Sequence, residues 1–316
     1  MSTLSFQTSA VAIAQIFAMG LVGFILVRRQ VMAEDGLKLL AFLSINILFP
    51  LFIFLQIIQH FDPGQMRFWW GYPLINISLI AVGMAITAVV FGFSRKTPPD
   101  EFLVSSSMHN AGYIPLLMAM ALPLGDAAGK VYAAVIMSII GFDICLWSLG
   151  VWLITRKQNP CMELKNLLSP PLVSMAAAIT IVLLGWQGAF TETWLKPVKI
   201  LGDSAMGISM LIIGGNLAMT NFSRLKLSSI AGAVLIKLIG LPMLALTALL
   251  FLHLDPIMNF VVMLQACMPT SITLSIIGRH YGTKNQDFIN QSIFVTHILC
   301  MLTLPVFLGL YGKLVP

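Results

Sequence analysis

The chain has 316 residues, of which 58% are hydrophobic and 9% charged, against roughly 25% charged in a soluble domain. That balance predicts an integral membrane protein, and a net charge of +6 concentrated in short loops on one side gives no basis for nucleic-acid binding. Cys145, Cys161, Cys267 and Cys300 show no CxxC spacing and three of them fall in apolar stretches, which argues against disulfides and zinc.

The first apolar stretch follows MSTLSFQ, which has no Lys or Arg, and precedes Arg28-Arg29. A secretory signal has the opposite charge order, so a retained helix is expected. Ten apolar segments follow in order, over residues 8–27, 37–58, 71–93, 101–122, 131–155, 171–187, 198–219, 229–252, 256–279 and 287–312. Loops after the odd-numbered segments hold 12 Lys and Arg (28, 29, 38, 95, 96, 156, 157, 165, 224, 226, 279, 284), and the other side holds 5 (67, 130, 196, 199, 313). The positive-inside rule then puts the odd loops in the cytoplasm and both termini outside it. Residues 156–170, with Asn159-Pro160 and Pro170-Pro171, read as a cytoplasmic linker between a first half, 1–155, and a second, 171–316. Halves with five spans each must enter the membrane in opposite orientation, so an inverted repeat is expected.

The fourth segment is interrupted at His109-Asn110-Ala111-Gly112-Tyr113-Ile114-Pro115. Pro115 removes a backbone donor and disfavours the helical region for Ile114, and Gly112 adds backbone freedom. Eight residues from Phe102 to Asn110 cover ~12 Å, which puts the break near the middle of a ~30 Å hydrocarbon slab. The ninth segment is interrupted at Met268-Pro269-Thr270, ~18 Å from Pro256. Non-helical backbone at that depth survives only where protein or a water-filled cavity covers it. Either break alone also fits an ordinary proline kink. At corresponding places in inverted halves, the pair points to a transporter's binding site.

Past each break a new helix begins with N–H groups that lack intrahelical partners and carry roughly half a positive charge. Two such ends, near Pro115 and near Thr270-Ser271, each offer an anion ~0.3 to 2 kcal/mol, less than the several kcal/mol of burying its charge. Side chains must add to this. Asn110 and Gln265 can donate through amides and Thr270, Ser271 and Thr273 through hydroxyls, back-bonding within a helix being the alternative for the hydroxyls. Gly112, Tyr113, Pro115, Met268 and Pro269 complete the expected substrate-binding set.

Ionisable groups within spans default to a functional hypothesis. His109, beside the break, and Asp143, at similar depth, are the expected ion- or proton-coupling residues; a neutral imidazole in a helix contact and a carboxyl bonded to a structural hydroxyl are the alternatives. Asp203 and Lys237 are expected to snorkel to the interfaces. A sodium cage could use Asn110, Gln265, Thr270 and freed carbonyls, but no carboxylate adjoins either break along the chain, so protons or uncoupled export are favoured over sodium. No metal site or cofactor is expected. Without a Walker A loop, GxSxG or HExxH, neither an ATP-driven pump nor a hydrolytic enzyme is expected.

Asn110-x-Gly112-x-x-Pro115 resembles the crossover motif of the auxin efflux carrier family, which includes plant PIN proteins and bacterial relatives assigned to carboxylates such as malonate and malate. Ser169-Pro170-Pro171-Leu172, Leu211-Ile212-Ile213-Gly214-Gly215-Asn216-Leu217-Ala218, Lys237-Leu238-Ile239-Gly240-Leu241-Pro242 and Ala266-Cys267-Met268-Pro269-Thr270 resemble it too. The departure is Asp203-Ser204-Ala205-Met206-Gly207, where the family usually has a proline early in the seventh span; it bears on the substrate more than on the fold. The resemblance implies an all-α integral membrane fold of the bile-acid-symporter/NhaA-like kind, with ten transmembrane helices in two inverted five-helix repeats and broken crossover helices 4 and 9. It further implies a scaffold of spans 1, 2, 6 and 7, a mobile unit of spans 3 to 5 and 8 to 10, a homodimer, and elevator-type transport of a small organic anion across a bacterial inner (plasma) membrane. In the family the second span lines the pocket, which makes Asn46 a wall residue, a helix-helix hydrogen bond near Pro50 being its alternative. A sodium-coupled carboxylate symporter and a non-transporting receptor are the rival functions.

Overall fold

The structure, a computed structural model, describes residues 5–66, 68–93, 95–156, 169–220, 227–252, 254–281, 283 and 285–315. Among these every regular element is a helix. Helix α1 (Phe6–Arg28) is opened by a capping box in which Ser5 and Thr8 each accept the other's backbone N–H. The second span runs from Glu34 to His60 as α2 (Glu34–Leu43), a π-helical turn (Ser44–Leu48) and α3 (Phe49–His60). Then come α4 (Tyr72–Phe93), the short pair α5 (Asp100–Ser107) and α6 (Tyr113–Ala121), and a long unit of α7 (Ala128–Cys145), a second π turn (Leu146–Gly150) and α8 (Val151–Thr155).

Most of the expected cytoplasmic linker, residues 157–168, lies outside the described residues. Beyond it are the short α9 (Pro170–Leu183), α10 (Glu192–Ala218), α11 (Leu227–Leu235), a third π turn (Ile236–Gly240), α12 (Leu241–Phe251), the second short pair α13 (Pro256–Ala266) and α14 (Thr273–Tyr281), and α15 (Gln286–Leu314). Two of these π turns stand just before a helix proline, Pro50 and Pro242, whose missing N–H interrupts the regular backbone ladder. Seven units among the described residues are long and apolar enough to cross a membrane, and α9 and α13 are shorter apolar helices. The protein is an all-helical integral membrane protein. Both expected breaks are present, at residues 108–112 and 267–272.

The helices sort into two packed groups. Helix α1 lies along α10, and α3 lies against α9 and α10; in the second group α4 packs on α7, and α15 packs on α5, α11 and α14, while α1 against α15 and α3 against α7 join the two. The α1–α10 crossing depends on glycine. A Cβ on Gly214 would stand 1.7 Å from the Gly20 carbonyl oxygen, and one on Gly23 would stand 2.1 Å from that of Leu211. Backbone meets backbone there, the close approach that small residues permit between membrane helices. Gly214→Ala must push α1 and α10 apart, so a loss of ~1 to 3 kcal/mol or more is expected, measured as a lower melting temperature in detergent. Gly207→Ala, whose Cβ meets nothing within 4 Å, is expected to leave it unchanged.

Candidate functional site

The two breaks touch. His109 and Thr270 pair as an isolated antiparallel bridge, in which Asn110 N–H donates to the Pro269 carbonyl at 2.8 Å and Ser271 N–H donates to the Met108 carbonyl at 3.1 Å. Each break thereby satisfies backbone groups that the other frees, as a buried non-helical segment requires. Around the bridge the Thr270 hydroxyl donates to the Ser105 carbonyl at 2.8 Å, and the Thr270 N–H donates to the Thr296 hydroxyl at 3.1 Å.

Behind the bridge, a polar chain ties α4, α7 and α13 to the first break. Gln265 Nε2 donates to the Ala111 carbonyl at 3.0 Å and to Ser138 Oγ at 2.9 Å, while Asn76 Nδ2 donates to the Ser138 carbonyl at 2.7 Å. That last bond fixes the orientation of the Asn76 amide. Its Oδ1 therefore accepts from His109 Nε2 at 2.9 Å, which leaves His109 Nδ1 as the bare nitrogen. The imidazole is fully buried and stands beside Phe142, with ring centroids 5.5 Å apart.

In front of the bridge lies a small, partly open cavity of about 50 Å³. Asn110, Gly112 and Tyr113 reach it from the first break, Ser271 and Thr273 from the second, and Asp143 and Trp147 from the α7 unit. Ile45 and Phe49 of the second span and Pro171 of α9 close the opposite wall. The first bond of α6 runs from Leu116 N–H to the Gly112 carbonyl, so the N–H groups of Gly112 and Tyr113, two residues that line the cavity, have no partner within α6. Both α6 and α14 thus aim their positive ends at one space. Asn110 Nδ2 is a buried donor without a protein partner, and among the described residues the one carboxyl side chain in the lining is Asp143, 8% exposed.

Of the expected substrate set, Asn110, Gly112, Tyr113 and Ser271 line the cavity, while Pro115, Gln265, Met268, Pro269 and Thr270 stand behind it and build the crossing. Asn46 is elsewhere. Its amide donates to the Phe42 carbonyl one turn back at 2.8 Å, and in the same π turn Ile45 is the residue that faces the cavity. Gly112 has φ −110°, so it supplies close approach rather than backbone freedom: a Cβ there would stand 3.1 Å from the Phe49 ring. His109 faces the polar chain rather than the cavity. Asp143, remote from both breaks along the chain as expected, shares the cavity with both. Lys237 does not snorkel: it is fully buried, and Nζ donates to the Ser107 carbonyl at 3.0 Å. Asp203 is exposed and pairs with Lys199 at 2.7 Å. Sequence analysis missed Trp147, although its place four residues after Asp143 on one helix face was a usable signal.

A helical membrane protein whose two broken helices meet beside a cavity lined by both has the makings of a carrier. The comparisons with known proteins agree. The family described as "Membrane transport protein" matches this chain twice, over residues 8–162 and 153–308. The chain belongs to that family, the auxin efflux carriers. Among Arabidopsis thaliana proteins it is similar to Protein PIN-LIKES 5, at 22% identity over 95% of this chain and 96% of the relative, and to Protein PIN-LIKES 6, at 22% over 96% and 92%. Protein PIN-LIKES 7 from the same plant is 26% identical over 45% of this chain and 40% of its own length.

Proposed function

We propose that this membrane transport protein is a secondary active or facilitative carrier of a small organic anion, a carboxylate of auxin-like or dicarboxylate kind, which it moves through the cavity at the crossing. The observation that carries this reading is the convergence of the α6 and α14 N-termini, with Asn110 Nδ2 between them, in a cavity otherwise walled by Phe49, Tyr113, Phe142 and Trp147. Helix ends and an unpartnered amide suit a carboxylate, and the rings suit the rest of a small organic molecule. Asp143 would meet the bound anion as a like charge, so it takes up a proton when the anion binds, and the two cross together.

The chain-wide arrangement we propose is ten spans in two inverted repeats, 1–155 and 171–316, joined by the cytoplasmic linker 156–170. The packing supports it. Exchanging spans 1 to 5 with spans 6 to 10 in order turns the α1–α10 contact into the α3–α9 contact, that of α4 with α7 into those of α15 with α11 and α12, and that of α4 with α5 into that of α12 with α13. An inverted repeat requires such a correspondence. Spans 1, 2, 6 and 7 would then be a scaffold, and spans 3 to 5 and 8 to 10 an elevator carrying Asn110, Asp143 and Ser271 past it. A homodimer held through the scaffold, a place in a bacterial inner membrane and termini outside the cytoplasm complete the proposal, the last from the 12 to 5 distribution of Lys and Arg.

The test is a thermal-shift panel of malonate, malate and an aryl acetate on purified protein, at two pH values, with and without sodium. A carboxylate at 100 times its Kd stabilises by ~2.7 kcal/mol, a readily measured shift. The expected result is a saturable rise for at least one of them, larger at the lower pH and unchanged by sodium. A rise that requires sodium would indicate a sodium-coupled symporter, a rise without any flux in proteoliposomes a receptor, and no rise under any condition would overturn the anion site.

A further inference from the structure

The three serines that end α5 face three different neighbours. Ser106 Oγ lies 2.8 Å from the Thr87 hydroxyl of α4, where Gly83 lets the helices close up: a Cβ there would be 3.0 Å from Ser107 Cα. The Ser105 carbonyl accepts from Thr270 of the second break, and the Ser107 carbonyl accepts from Lys237 Nζ at 3.0 Å. These carbonyls are the negative end of a broken helix, with about half a unit of charge facing the protein interior. The matching end of α13 is different. Its Cys267 carbonyl receives the Cys300 thiol at 3.6 Å, and no cationic side chain is bonded to it among the described residues.

Lys237 reaches α5 from the π turn Ile236–Gly240, and π turns recur at functional positions. It is fully buried in a membrane protein, a placement costly enough that its charge needs a purpose. We propose that Lys237 is a tethered cation: its ammonium holds the carbonyl end of α5 at the crossing, in the role that a bound alkali cation would otherwise fill, so the carrier cycles without one. The charge itself stands on the α5 geometry; only the consequence for coupling rests on the transport reading.

Thermal stability of the full chain in detergent tests the charge without needing any substrate. At matched ionic strength the wild-type melting temperature is expected to be the same in sodium chloride and choline chloride; a sodium-specific rise would overturn the proposal. Lys237→Arg is expected to stay close to wild type. Lys237→Ala, which leaves a side-chain-sized void beside the carbonyls, is expected to melt lower in choline chloride and to recover saturably with methylammonium chloride. Equal responses of wild type and Lys237→Ala to methylammonium would overturn it. If Lys237→Ala does not fold, the wild-type comparison decides. In proteoliposomes Lys237→Met is expected to lose about tenfold or more in uptake rate, the loss expected for one hydrogen bond to a charged group. Wild-type uptake by folded Lys237→Met would also overturn the proposal.

Discussion

Asn110→Ala is expected to weaken carboxylate binding by about 10- to 100-fold while the protein still inserts, purifies and melts as wild type does. The magnitude is that of one hydrogen bond to a charged group, ~1.5 to 3 kcal/mol. The selectivity comes from how the residue is divided between two tasks. Its backbone N–H, which Ala retains, holds the bridge to Pro269, while its Nδ2 is buried without a protein partner on a residue that lines the cavity. Removing the amide therefore removes a donor from the ligand and nothing from the crossing. Asn110→Asp, which adds a negative charge at the same place, should do worse than Ala. The measurement is isothermal titration of the carboxylate that the thermal-shift panel selects; equal affinity in Asn110→Ala and wild type would remove this residue from the site.

The second large effect concerns Asp143. A carboxylate and a bound anion in one small cavity repel each other, and a repulsion of this kind links anion binding to proton uptake. The sign follows directly. Below the titration range of the Asp143 carboxyl the group is already neutral and affinity does not vary with pH; above it, one proton must be taken up with each anion, and affinity falls about tenfold per pH unit. Asp143→Asn is neutral at every pH. It is expected to bind with the acid-pH affinity throughout and to lose accumulation driven by a pH gradient while retaining exchange of labelled for unlabelled anion. If the pH dependence survives in Asp143→Asn and disappears in His109→Gln, the proton belongs to the imidazole and not to the carboxyl.

The sequence made the two breaks legible because proline acts locally: Pro115 and Pro269 interrupt a helix wherever it packs. It also made the two helix starts past the breaks legible, since a new helix start carries its partial charge with it. What could not be seen was which side of the crossing each side chain would take. Gln265 and Asn110 are both amides beside a break, yet the Nε2 of Gln265 is taken by Ala111 and Ser138 while the Nδ2 of Asn110 has no protein partner. That difference arises from the pairing of residues far apart in the chain. Asn46 and Lys237 both belong to π turns, where one extra residue per turn rotates the face a side chain presents, which neither the resemblance that pointed to Asn46 nor the snorkelling rule applied to Lys237 takes into account. Trp147 lay within reach of the i to i+4 relation with Asp143, but a tryptophan in an apolar span gives no sign by itself that it faces a cavity and not lipid.

Uptake of the selected carboxylate into proteoliposomes, under an imposed pH gradient, a sodium gradient or a membrane potential alone, tests the central claim most directly. A proton moving with a monovalent anion carries no net charge, whereas an uncoupled anion is driven by ~2.3 kcal/mol per 100 mV. For a monocarboxylate, the account predicts accumulation under the acid-outside gradient without sodium, little response to potential alone, and loss of gradient-driven accumulation in Asp143→Asn. Strict dependence on the sodium gradient with no response to pH, or the absence of flux under all three conditions, would contradict it.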